Sequence, residues 1–292
     1  MLSSVFPFIY LSVFYCCFSF KLIIIKQISM RKQYVLFSVI LLPFIFFSFS
    51  GQNTQEEFDV ELFNKTFKIA SRLYDYDVAF WLTSDYLSRK QMNASGDDYF
   101  CYQDRDSTWH VLYGKYVNGK FTPDYHLTVD TTYTIHVIDR FPGDSFVLPY
   151  MRALHTAQQA MSPVTDTLHI HFNIYVHKNE DQTFTVRAFP GMQPDGTVVY
   201  GGEFEFTLDS SGSHLLETHR YMQNTFRGFS TDHPPEKITL DYHDVDEPTL
   251  GGILFVWEYK RFFPQILLIT SQNISTVLQD HTGQYYWVHV QR

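Results

Sequence analysis

Asn118-Gly119 separates two runs of two-residue alternation, Trp109 to Val117 and Phe121 to Val129, and no other feature restricts the fold as tightly. Both central positions of a type I′ turn need positive φ, which Asn and Gly adopt at least cost, so the pair predicts a β-hairpin. Thr132 to Ile138 reads as a third strand beside it. Pro142, Gly143 and Asp144 then break the alternation. Pro149 marks a helix start, with Asp144 or Ser145 as its cap, and Met151, Leu154, Ala157 and Met161 form one helical stripe that Pro163 should end.

The remainder of the chain repeats the strand signal. Leu168 to His177 and Thr183 to Phe189 flank the charged turn Lys178-Asn-Glu-Asp, and Phe204, Phe206 and Leu208 alternate with polar residues. Asp209-Ser-Ser-Gly turns the chain back into a strand near His214 to Tyr221. Ile238 to Tyr242, Ile253 to Tyr259, Ile266 to Thr270 and Tyr285 to Val290 complete the set, the last pair closing a hairpin around His281-Thr-Gly. Ahead of all this, Phe58, Leu62, Thr66, Ile69, Ala70 and Leu73 recur at three- and four-residue steps, the spacing of an amphipathic helix. Val78-Ala-Phe-Trp-Leu fits either a continuation of that helix or a buried strand. The expected class is α+β: an antiparallel-sheet-rich domain with two or three helices packed on it.

The front of the chain sets its destination. Residues 1–50 contain two apolar runs, four basic residues and no acidic one. Arg31 and Lys32, the apolar stretch Tyr34 to Phe49, and the small residues Ser48 and Ser50 have the three-part form of a secretory signal. Met30 stands just before that basic pair, so residues 1–29 read as an upstream extension or an extra hydrophobic segment, 30–50 as a signal peptide or membrane anchor, and 51–292 as the extracytoplasmic domain. If neither run is cleaved, Val5 to Ile25 and Tyr34 to Phe49 form the chain's membrane contact, with the basic loop between them held inside. Either way the body lies outside, as a periplasmic, secreted or envelope-anchored protein.

From residue 51 onward, 18 Lys plus Arg stand against 31 Asp plus Glu, a net of −13. Binding to a nucleic acid needs a basic footprint that releases counterions, and no cluster of Lys and Arg stands out in the sequence, so such a partner is not expected. Cys101 is the only thiol of the body, Cys16 and Cys17 lying in the front segment, so no internal disulfide is available and packing must supply the stability.

The best chemical constellation is Leu168-His-Ile-His-Phe-Asn-Ile-Tyr-Val-His. On a strand, His169 and His171 would point to the same side about 7 Å apart and could both ligate a divalent metal such as zinc. His243, Asp244 or Asp246 from the acidic stretch Asp241-Tyr-His-Asp-Val-Asp-Glu could complete the set. A metal-dependent hydrolase is therefore the alternative to a non-catalytic protein that binds an unidentified protein or small-molecule ligand. No nucleotide-cradling glycine loop and no Gly-x-Ser-x-Gly elbow is present, so the balance leans away from an enzyme and no other cofactor is expected.

Overall fold

The computed structural model describes residues 58–292 apart from 223, 224 and 244. The export and anchor segments expected within residues 1–50 lie outside the described residues, as does Asp244. Among the described residues no helix is long and apolar enough to cross a membrane.

The described residues form an α+β fold, with three helices and four mostly antiparallel sheets. Strands β1 (Asp98–Gln103), β2 (Trp109–Val117), β3 (Lys120–Val129) and β4 (Ile135–Val137) form the first sheet in that order. Its central hairpin turns at Asn118 and Gly119 with φ of 51° and 77°, the double positive φ that the dipeptide predicts. Strand β4 is shorter than the run Thr132 to Ile138, because Asp130 accepts the backbone N–H groups of Thr132 and Thr134 and holds a turn ahead of it.

The second sheet orders β5 (Phe172–Lys178), β6 (Phe184–Pro190), β8 (Glu203–Leu208) and β9 (Leu215–Tyr221), while β7 (Thr197–Tyr200) pairs with β10 (Arg227–Ser230). The last sheet contains β11 (Ile238–Tyr242), β12 (Ile266–Thr270), β13 (Asn273–Gln279) and β14 (Tyr285–Gln291). The terminal hairpin joins β14 to β13, not to β12, and β11 lies parallel to β12. That parallel pair needs a crossover, and a helix supplies it.

The crossover helix α3 (Leu250–Tyr259) stands where a strand is expected at Ile253 to Tyr259. A short continuous apolar run fits a buried helix as well as a buried strand, so periodicity does not decide. The N-terminal chemistry does. Thr249 caps the helix by accepting the N–H of Gly252, and Gly251 and Gly252 let the first turn approach Glu203 and Tyr242 more closely than a Cβ would allow.

Helix α1 (Val60–Arg89) is one continuous element of 30 residues, so the ambiguous segment after Leu73 continues the helix. Its buried stripe runs through Phe63, Ala70, Leu73, Tyr76, Asp77, Ala79, Thr83 and Leu87. Leu62 and Ile69, expected on the core face, are exposed instead. Helix α2 (Asp144–Leu168) starts earlier and ends later than its prolines suggest, with Gly143 at the N-cap and no side-chain cap from Asp144 or Ser145. Pro163 leaves the Gln159 carbonyl without its helical N–H, and the Ser162 hydroxyl donates to that carbonyl at 3.2 Å. The helix therefore passes through the proline and buries Met151, Leu154, Ala157 and Met161 on the expected stripe.

Two apolar clusters result. One packs α1 and α3 against Val111, Leu127, Leu240 and Leu268, and the other packs α2 against Leu112, Val186, Phe204 and Phe206. Sheet residues point alternately into the two clusters, so Tyr175 of β5 faces α1 while Val176 faces α2. There the Tyr175 hydroxyl donates to Asp77 Oδ2 at 2.5 Å, joining β5 to α1 in a buried site. Burial, and then the nearby Glu258, push the Asp77 carboxyl well above its usual range. Tyr175→Phe should destabilise the protein by about 1 to 3 kcal/mol, since it strands a buried acceptor, and urea unfolding of the variant measures it.

Candidate functional site

A cavity of about 480 Å³ opens where α1 crosses the edge of β1 and the end of β5. The helix contributes Lys68, Ile69, Arg72, Leu73 and Tyr76, one face at steps of one, three and four residues. Strand β1 adds Tyr102 and Gln103, β2 adds Trp109, α2 adds Tyr150, and β5 with the turn after it adds Tyr175, His177, Lys178 and Asn179. Arg187 of β6 completes the wall. Exposure of Ile69, anomalous for a core residue, is explained by its place in this lining.

The floor is aromatic and buried: Tyr76, Trp109, Tyr150 and Tyr175 are each less than a tenth exposed, and Tyr76 packs edge-on against both Trp109 and Tyr175. The polar rim carries Lys68, Arg72, Lys178 and Arg187, and among the described residues no Asp or Glu lines the space. Arg187 is already paired with Glu205 on the adjacent strand, Nε to Oε2 at 2.6 Å. Lys68, Arg72 and Lys178 make no ion pair among the described residues. Three uncompensated cations thus gather on a chain whose formal net charge is −9.

Burial and two of the rim guanidinium groups act on the imidazole of His177. His177 is brought down to about 4, first by burial and then by the guanidinium groups of Arg72 and Arg187. At neutral pH it is an uncharged ring that can donate one hydrogen bond and accept another. Cys101 also touches the cavity wall, but burial raises its thiol well above the usual range, so it is not a nucleophile there. The arrangement can hold an anion at the rim and a planar or apolar body on the rings.

The residues singled out as metal ligands are arranged differently from the expectation. The strand expected over Leu168 to His177 begins only at Phe172, because α2 runs to Leu168 and His169 caps it in the left-handed conformation, φ 51°. His171 lies in the link to β5, where its N–H donates to Gln193 Oε1 and its carbonyl accepts the N–H of Gly191. The same-face strand pair is therefore not formed. His243 is engaged by Arg292, which donates to its Nδ1 at 3.0 Å, and by Asp241 at 3.2 Å on its Nε2. Asp246 accepts from the Ser271 hydroxyl. Among the described residues no group of three or more His, Cys, Asp or Glu side chains is placed to hold a metal ion.

Sequence reasoning passed over the cavity because its parts lie far apart in the chain. Two signals for it exist. Lys68 and Arg72 stand one helical turn apart beside the buried positions Leu73 and Tyr76, and Arg187 is the one charge in the strand Phe-Thr-Val-Arg-Ala-Phe. A charge inside a buried strand is costly without a partner or a purpose, which makes it worth following. Comparison of the chain with models of protein families, with curated proteins and with solved structures finds no match to any of them.

Proposed function

We propose that this is an exported, non-catalytic binding protein whose cavity takes a small anion with a planar or apolar body. The observation that carries the reading is a space of about 480 Å³ with a buried aromatic floor, three rim cations that make no ion pair among the described residues, and no carboxylate among the described residues that line it. Ligand sites combine largely apolar walls with a few convergent polar groups, and this cavity has that composition. The anionic group meets Arg72, Lys68 and Lys178, and the body lies on Trp109 and Tyr102. Neutral His177 and Gln103 supply hydrogen bonds that set orientation. Export is supported by the basic pair and apolar run ahead of residue 51.

Titration with anilinonaphthalene sulfonate and with the neutral phenyl-naphthylamine tests the reading, using the fluorescence of the bound dye. The sulfonate should bind the folded protein more tightly than its neutral counterpart. Arg72→Ala and Lys178→Ala should each weaken the sulfonate roughly tenfold or more and leave the neutral dye unchanged, since each removes one charge-assisted contact. Equal affinities for the two dyes, or variants that bind as the parent does, would count against an anion site here.

A further inference from the structure

Four groups on separate elements form a continuous hydrogen-bonded chain on the side of the first sheet that faces α2. Asp104 Oδ2, in the β1–β2 turn, lies 3.1 Å from His110 Nε2. His110 Nδ1 lies 2.9 Å from His126 Nε2, and His126 Nδ1 lies 2.7 Å from the carbonyl of Arg140. The last contact ties β3 to the connection between β4 and α2.

If all three contacts are hydrogen bonds, the count of hydrogens across them sets the charge. A carbonyl only accepts, so His126 Nδ1 must carry a hydrogen. Burial pushes the Asp104 carboxyl up, but bonds from His110, Thr108 and Asp106 outweigh it and hold the group below its usual range. It remains an ionised acceptor, so His110 Nε2 carries a hydrogen too. The central nitrogen pair needs one more. Three hydrogens on four ring nitrogens make one neutral imidazole and one imidazolium. Two neutral rings would leave one of the three contacts without a hydrogen, and two imidazoliums would set N–H against N–H at 2.9 Å.

We propose that His110 and His126 bind a single proton between them, and that this shared proton is a built-in pH-sensitive clasp holding the β4–α2 connection to the first sheet. The groups facing the rings agree with one charge and no more. Asp104 is the one carboxylate bonded to the pair among the described residues. Tyr102 stacks on His110 at 4.6 Å, and its own hydroxyl is pushed up to about 12, first by burial and then by Asp104, so it stays neutral. Phe141 covers His126 at 6.3 Å, and Arg140 meets the ring through its carbonyl. Burial, and less strongly a charge on His110, lower the affinity of the His126 ring for a proton, against the bond to the Arg140 carbonyl, which raises it. Tyr102 also packs edge-on against Phe146 in the first turn of α2, so the clasp braces the start of that helix. The clasp shares Tyr102 with the cavity wall but does not rest on anion binding there.

Ring-nitrogen NMR of the full chain labelled with ¹⁵N-histidine tests it directly. At neutral pH the two rings should show three protonated nitrogens and one unprotonated, and the pair should release its proton in one joint step. On that alkaline step the amide of Ile138, which bonds the His126 carbonyl, should lose about tenfold in exchange protection after correction for intrinsic rate. Asp104→Asn should lower the pair's proton affinity at least tenfold while the fold, judged by circular dichroism, is unchanged. His110→Phe, which keeps the stack on Tyr102, should abolish the pH dependence at Ile138. Two neutral rings at neutral pH, or rings that titrate without regard to each other's substitution, would overturn the proposal.

Discussion

Between pH 4.5 and pH 8, Glu203→Gln should gain roughly 3 kcal/mol of stability relative to the parent chain. Glu203 is 3 % exposed at the start of β8, and desolvation raises its carboxyl to about 7 against the bonds that favour its ionised form. Those bonds are the N–H of Gly251 at 3.1 Å, the Thr249 hydroxyl at 2.5 Å and the Tyr242 hydroxyl at 3.4 Å. A carboxyl whose folded-state pKa lies above its unfolded value stabilises the protein fully below the unfolded value. The contribution is lost as pH rises through the folded value. A rise from 4.5 to about 7 corresponds to roughly 3 kcal/mol.

Gln cannot ionise, so its variant escapes that loss, and it keeps an acceptor for Gly251 while the Thr249 hydroxyl turns to accept from its amide. Near pH 4.5 the two proteins should differ by less than about 1 kcal/mol, because the parent's carboxyl is then largely neutral as well. The comparison must be made between proteins and not along one curve. The depressed pKa of His177 works in the opposite direction, since a group favoured neutral in the fold loses stability as pH falls below its unfolded value. That effect cancels in the difference. Urea midpoints at several pH values read it out, and parallel curves for parent and variant would mean that Glu203 ionises without cost.

Local turn chemistry was the most legible part of the fold. Asn118-Gly119 and Asp209 to Gly212 each specify a backbone that few residues adopt, and both hairpins form as the dipeptide and the tetrapeptide indicate. Alternation then placed Leu127 with Val129 on β3, and Phe204, Phe206 and Leu208 together on β8. Signals that rest on a proline or on an apolar run failed, for separate reasons. Pro163 is tolerated because a neighbouring serine satisfies the carbonyl it frees. Ile253 to Trp257 is continuously apolar, which a buried helix and a buried strand share, and only the capping threonine with two close-packed glycines distinguishes them.

The candidate site was less legible, because its geometry depends on where α2 ends. His169 and His171 lie on one face only if the strand starts at Leu168, and the left-handed residue at His169 removes that premise. The cavity joins Lys68, Tyr102, His177 and Arg187, positions whose nearness is set by α1 lying across two sheet edges. No window of sequence holds them together. What a sequence does hold is the anomaly each one presents locally, such as an arginine in the middle of β6, and such anomalies are worth treating as parts of one site before the fold is known.

Gly212→Ala should cost roughly 3 to 5 kcal/mol, one of the largest effects of a single added carbon anywhere in this protein. Gly212 closes the β8–β9 turn with φ +73°, and a Cβ there would stand 2.2 Å from the Pro149 carbonyl and 2.7 Å from the Ala153 nitrogen. Both atoms are backbone of α2 and cannot rotate away. The turn is also fastened to that helix, Arg152 donating to the Ser211 carbonyl at 2.7 Å and the Thr156 hydroxyl to that of Gly212 at 3.0 Å. Relief of the overlap therefore requires the hairpin to lift from α2, which breaks those bonds and loosens Phe206 and Leu208 in the cluster beneath. Gly283→Ala separates this cause from backbone strain alone. Its φ is +86°, in the same left-handed region, yet a Cβ there would meet only the Gln279 amide at 3.6 Å. That variant should lose about 1 kcal/mol, the ordinary cost of placing an L side chain at positive φ. If thermal or urea unfolding gives the two variants equal losses, the close seat of the β8–β9 turn on α2 contributes nothing, and the packing of that hairpin against the helix is looser than these distances imply.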